Sequence, residues 1–165
     1  MNNRIKRILL IVLVALALLV AIPVTIIAAD TAFGPDTTDY ANTTFRDAGG
    51  NELLGYLAKP DGPGPHPAVV MLHEWWGLNQ EITLLADALA AEGYVVFVPD
   101  AYRGRVTSQI PRALYLRLGT PEDQVTSDLD AALAYLLSRP DVDPERVASL
   151  GFCFGGGHSL LQLLG

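Results

Sequence analysis

Gly151-Phe152-Cys153-Phe154-Gly155 is the stretch of this chain whose residue types and spacing can do chemistry. A G-x-C-x-G segment between an apolar strand and a helical stretch holds its central residue on a tight, strained turn, and small flanking residues let two backbones approach there. The turn lifts the side chain into a cleft. It also sets the sulfur at a helix N-terminus, where the dipole favours thiolate over thiol. The backbone N–H of Phe154 then points to where the oxyanion of a tetrahedral intermediate would form. A lone cysteine is usually a small buried hydrophobe. The catalytic reading of Cys153 therefore rests on its context, an apolar strand before it and Gly155-Gly156-Gly157 after it.

A second segment, His73-Glu74-Trp75-Trp76-Gly77-Leu78-Asn79, follows another apolar strand. Glu74 stands between a histidine and two tryptophans. An apolar setting favours the neutral carboxyl and lets Glu74 exchange a proton with a thiol. A solvated loop carboxylate is the alternative for Glu74. His73 reads as a donor that orients the loop, and Trp75 and Trp76 as pocket wall or core.

Strands and helices must bring these two segments together. Residues 44–46 and 52–58, joined by Asp47-Ala48-Gly49-Gly50, predict a β-hairpin. Ala68–Leu72, Tyr94–Val98 and Val147–Gly151 are short apolar runs of the kind buried on both sheet faces. Asn79 can cap a helix through about Glu92, with Ile82, Leu85 and Leu89 on one side. Thr120-Pro121-Glu122-Asp123 can open another, with Leu129, Leu133, Leu136 and Leu137 as its apolar stripe. Residues 141–145 read as a turn. Strand–helix–strand–helix–strand order predicts an α/β domain with a parallel sheet, whose ligand site lies beyond the carboxyl ends of the strands. Residues 73–79, 100–105 and 152–156 all fall at that edge.

Composition narrows the function classes. The chain has 165 residues, half of them hydrophobic, which excludes a disordered tail. Its 18 acidic and 11 basic side chains give a net charge of −7, which argues against nucleic-acid binding. One cysteine and three histidines without ligand-like spacing offer neither a disulfide framework nor a metal set, and no cofactor is called for.

Residues 1–30 read as a membrane anchor or signal segment. Arg4, Lys6 and Arg7 precede 22 uncharged residues from Ile8 to Ala29. As a helix that run is about 33 Å long, enough for a hydrocarbon core of about 30 Å. The basic flank predicts a cytoplasmic N-terminus and an extracytoplasmic domain. Cleavage as a signal peptide, giving a secreted domain, is the alternative; the run exceeds the usual apolar length, and Ile27 spoils an A-x-A site. Residues 31–43 read as a linker, and 44–165 as the domain. Residues 31–165 hold 8 basic and 17 acidic side chains, a net −9.

Three stretches, residues 73–79, residues 98–105 (Val-Pro-Asp-Ala-Tyr-Arg-Gly-Arg) and residues 151–156, resemble the dienelactone hydrolase family, over roughly residues 40–165. That family is a branch of the α/β-hydrolase fold that uses cysteine where esterases use serine. The resemblance implies an α/β-hydrolase-type, mostly parallel sheet with flanking helices. It implies a small-molecule ester or lactone substrate cleaved through an acyl-cysteine, with Cys153 as nucleophile. Glu74 would hold or deprotonate the resting thiol. Trp75 and Phe154 would supply the oxyanion N–H groups, and Trp76 would line the substrate pocket. An arginine would grip a substrate carboxylate, but here Arg103 and Arg105 flank Gly104, where the family places it, so either can serve.

Such a fold carries an acid and then a histidine after its nucleophile. Only 12 residues follow Cys153; they hold no Asp or Glu, and one histidine, His158. Five residues along a helix turn His158 about 140° away from the cysteine, so it reads as a packing residue. The expectation is the N-terminal portion of a longer hydrolase, truncated after the nucleophile turn. Two other readings stay open: a non-catalytic exported module that binds a ligand in the tryptophan-lined cleft, and a related peptidase or thioesterase.

Overall fold

The computed structural model describes residues 2–153 and 155–157. Its longest element is the apolar helix α1 (Asn3–Phe33), none of whose residues is buried. Its 31 residues include an 18-residue stretch of mean hydropathy 3.2, long and apolar enough to cross a membrane by length and composition. The helix runs past the expected span. Its last turns carry Asp30, whose carboxylate is 3.0 Å from the Arg112 guanidinium and accepts from the Thr107 hydroxyl. The segment expected as a linker also holds a 3-10 turn over Thr37–Asp39, capped by Asp36, with Thr37 buried.

Among the described residues the domain is a five-stranded sheet in the order β1-β2-β4-β3-β5 with helices on both faces. Strands β1 (Thr43–Arg46) and β2 (Glu52–Ala58) form the expected hairpin, closed where Gly50 takes a φ of 81°. Strand β2 adds antiparallel to β4 (Val95–Pro99), so the sheet is mixed. The parallel part is β4, β3 (His66–Leu72) and β5 (Val142–Gly151). Strand β5 begins five residues before the expected position. The turn read at 141–145 lies largely inside it: His66 pairs with Val142 and Ala68 with Val147, so residues 143–146 bulge out.

Alternation along the strands sorts the core. Ala68, Val70 and Leu72 of β3 and Val95 and Phe97 of β4 face one side. There they meet Leu129, Ala132 and Leu136 of α4 (Glu122–Leu137) and Leu116 of α3 (Ile110–Gly119). Val69, Met71, Val96 and Val98 face the other side, against Ile82, Ala86 and Ala90 of α2 (Gln80–Ala91). Asn79 caps α2 as expected, accepting from the Ile82 N–H at 3.1 Å. Two details differ from the sequence reading. Helix α3 was not anticipated, because Ile110, Leu114 and Leu118 sit on its exposed face and blur its amphipathic signal. Thr120 does not cap α4; its hydroxyl bonds back to the Leu116 carbonyl at 2.8 Å and closes α3.

Candidate active site

Strand register brings the two chemical segments side by side. Leu72, the last residue of β3, pairs with Gly151, the last residue of β5. The loop at 73–79 and the turn at 152–155 therefore leave the same sheet edge from adjacent strands. Cys153 is exposed and takes a φ of 52°, the left-handed conformation that a side chain adopts only under tertiary constraint. The Gly155 N–H donates to the Phe152 carbonyl at 2.9 Å, and the Gly156 N–H to the Cys153 carbonyl at 3.2 Å.

The flanking glycines are there because backbones crowd them. A Cβ on Gly151 would lie 2.1 Å from the Gly155 carbonyl oxygen. A Cβ on Gly155 would lie 2.6 Å from the Leu72 carbonyl oxygen and 2.9 Å from that of His73. The cysteine turn is thus seated directly on the end of β3, beside the loop that carries Glu74.

His73 is fully buried and ties that loop to the end of β4. Its Nδ1 lies 2.6 Å from the Glu74 carbonyl oxygen, and its Nε2 accepts from the Ala101 N–H at 3.2 Å. These partners fit the neutral tautomer with a proton on Nδ1. Burial pushes the imidazole below its usual range, against the opposing pull of Asp100 at 4.0 Å. Asp100 is buried too, and desolvation pushes its carboxyl upward although the backbone N–H groups of Tyr102 and Gly104 donate to it. His73 thus positions the loop, as its type and place suggest.

Glu74 is half-buried and lines a cavity of about 160 Å³ together with Gly77, Ile82, Leu85 and Phe152, the neighbour of Cys153. Trp75 is half-buried against the α3–α4 side of the core and meets Trp76 edge-on, ring centroids 5.0 Å apart. Trp76 walls a larger cavity of about 380 Å³, which also touches Tyr40, Val106 and Thr107. Phe154 and His158 lie outside the described residues.

The two arginines part company. The Arg103 fork is filled by the buried Asp128 of α4, with Nε and Nη contacts of 3.0 and 2.7 Å, and Asp47 lies 3.7 Å away. Arg105 is half-buried and donates through Nε to the Tyr102 carbonyl at 2.7 Å. The buried Tyr102 hydroxyl senses several groups at once. Desolvation pushes its pKa up, Arg117 and Arg105 pull it down, and Cys153 pushes it up. Sequence reasoning quoted Tyr102 but gave it no place, and it missed Asp128 because 25 residues separate that acid from Arg103.

Residues 53–163 match the model of the dienelactone hydrolase family. A Synechocystis sp. protein assigned as a carboxymethylenebutenolidase is 35% identical over 113 residues, which are 64% of this chain and 46% of that one. Two solved structures superpose with TM-scores of 0.59. One, from Klebsiella pneumoniae and assigned as a dienelactone hydrolase, is 30% identical over 69% of this chain and 52% of its own. The other, a dienelactone hydrolase-like promiscuous phosphotriesterase from metagenomic libraries, is 28% identical over 72% of this chain and 51% of its own. The chain spans about half the length of the curated relatives it matches. With two thirds of its residues inside the family match, and a cysteine turn seated on the loop that bears Glu74, the chain belongs to the dienelactone hydrolase family.

Proposed function

We propose that this chain carries the nucleophile of an ester or lactone hydrolase working through an acyl-cysteine. The observation that carries the reading is the left-handed Cys153 turn, clamped between two glycines that cannot hold a side chain. In this reading Glu74 takes the thiol proton, and the Cys153 sulfur attacks the substrate carbonyl carbon. The Trp75 and Phe154 N–H groups stabilise the oxyanion. The tetrahedral adduct then collapses and breaks the bond to the leaving oxygen, which takes the proton back from Glu74. Water later splits the thioester to acid and thiol. Trp76 walls the acyl site. Arg105, rather than the occupied Arg103, meets an anionic acyl group. Relatives named for lactone hydrolysis support this class of reaction.

We also assign residues 1–30 to a membrane-anchoring segment, with the basic N-terminus cytoplasmic and the domain outside. Residues 31–43 connect it to the catalytic domain at 44–165.

The test is acylation of the full chain by p-nitrophenyl acetate, read by peptide mass. One acetyl group on the Cys153 peptide, absent in Cys153→Ala and slowed in Glu74→Gln, is the expected result. Acetylation elsewhere, with Cys153 unmodified, overturns the mechanism.

A further inference from the structure

Helix α3 has two faces, and only one of them is covered among the described residues. Taking 100° per residue from Ile110, the buried Arg112, Ala113 and Leu116 occupy an arc of about 200–300°. On the opposite arc, about 0–140°, lie Ile110, Leu114, Leu118 and Tyr115. These are 62, 48, 75 and 59% exposed. Four large apolar side chains on one face of a ten-residue helix form a patch that solvated proteins rarely leave bare.

The place of α3 says what covers it. Asp30 is the first charged side chain after the apolar run Ile8–Ala29. A carboxylate in hydrocarbon is costly, so Asp30 marks the outer end of a span. The carboxylate and carbonyl of Asp30 both accept from Arg112 of α3, and Thr107 bonds the same carboxylate. Asp30 and Arg112 are each more than nine-tenths buried at this junction. Gln109, the residue before α3, lines a cleft with Ile26 and Phe33 of α1, and Phe33 is 91% exposed. The α1–α3 junction is therefore held by buried polar contacts, and on the anchor reading it lies at the height where hydrocarbon gives way to headgroups. Charge agrees: residues 101–121 hold no acid in a chain of net charge −7.

We propose that α3 lies in the membrane interface, with Ile110, Leu114, Tyr115 and Leu118 in lipid, as a second contact that fixes the domain on the bilayer. The proposal rests on the membrane-anchor reading of α1. It adds to that reading that the domain is held at the surface rather than tethered above it. Thr107 joins this junction to the Trp76 cavity, so the cavity sits beside the headgroups.

Nitroxide labels test it in the full chain carrying Cys153→Ser, reconstituted in phosphatidylcholine–phosphatidylglycerol vesicles. Labels at Leu114→Cys and Leu118→Cys are compared with Leu16→Cys inside α1 and Asp61→Cys in an exposed loop. The expected result is an oxygen-to-nickel accessibility ratio at 114 and 118 well above that at 61 and approaching that at 16. Water-like ratios at 114 and 118 with a lipid-like ratio at 16 overturn the proposal and leave the anchor standing. A water-like ratio at 16 overturns both. Dipolar broadening at 118 without lipid contact assigns the face to a second copy of the chain and overturns the lipid assignment.

Discussion

Gly155→Ala is the perturbation that asks most directly whether the cysteine turn is seated as described. The added methyl would stand 2.6 Å from one backbone oxygen and 2.9 Å from another, where ordinary contact begins at 3.4 Å. Both oxygens belong to the end of β3 and to His73, which is held by the Ala101 N–H, so neither neighbour can rotate out of the way. The turn must retreat by roughly 0.8 Å, and a displacement near 1 Å at a reacting group costs about a hundredfold in rate. Overpacking costs about 1–3 kcal/mol, and the better helix propensity of alanine returns at most about 1. With the full return, a net loss of up to about 2 kcal/mol follows. Gly157→Ala is the matched control: among the described residues nothing lies within 4 Å of its would-be methyl, and its φ is not left-handed. That variant should gain about 0.5–1 kcal/mol from propensity and keep its acylation rate. The measurements are urea midpoints in detergent and the rate of Cys153 acetylation. A Gly155→Ala protein with the wild-type midpoint and rate would refute the argument.

Two further outcomes follow from the charged pairs. Arg103→Ala should cost about 1–2 kcal/mol, because it strands the buried Asp128; the cost is discounted for the 38% exposure of the arginine side chain. Arg105→Ala should leave the urea midpoint near wild type while raising KM for an anionic ester relative to a neutral one; the reverse pattern would exchange their roles. Asp141 is held below its ordinary range chiefly by its hydrogen bond from Arg139 at 2.7 Å. A depressed carboxyl adds stability above its unfolded pKa of about 3.9 and loses it as pH falls through the lower folded value. The midpoint gap between wild type and Asp141→Asn should therefore be full at pH 7 and narrow below about pH 4. A gap that stays constant to low pH would remove this pair from the acid response.

Two of the parallel strands were legible because burial on both faces demands unbroken apolar runs, as in Ala68–Leu72 and in the Val95–Val98 part of the run read from Tyr94. The third run expected to be buried, Val147–Gly151, lies on the edge strand β5 and none of its residues is buried, because only β3 flanks it among the described residues. The end of α2 was legible for a local reason as well: Gly93 takes a φ of 98° that other residues adopt only under strain. Helix α3 was not, since its periodicity counts side chains facing two different surroundings as one broad apolar set. The bulge in β5 was read as a turn because residues 143–146 carry turn chemistry. Asp143 accepts from the Glu145 N–H at 3.0 Å, while the strand pairing that encloses the bulge is set by β3. Where the hairpin joins the sheet was invisible too, because β2 meets β4 across some forty residues.

The candidate site divides along the same line. A glycine needed for a close approach leaves its mark in sequence, so the Cys153 turn could be read from one pentapeptide. The direction of a long side chain leaves none. Arg103 and Arg105 are two residues apart and chemically identical, and only Asp128, brought over by α4, decides which guanidinium is already filled. The same holds for Asp30. In sequence it is the acid that ends an apolar run and begins a linker. In the fold, its pairing with Arg112 ties α1 to α3. The cysteine edge and α1 are thus connected through the Asp30–Arg112 junction, which lies more than thirty-five residues from Glu74 and more than forty from Cys153 in sequence.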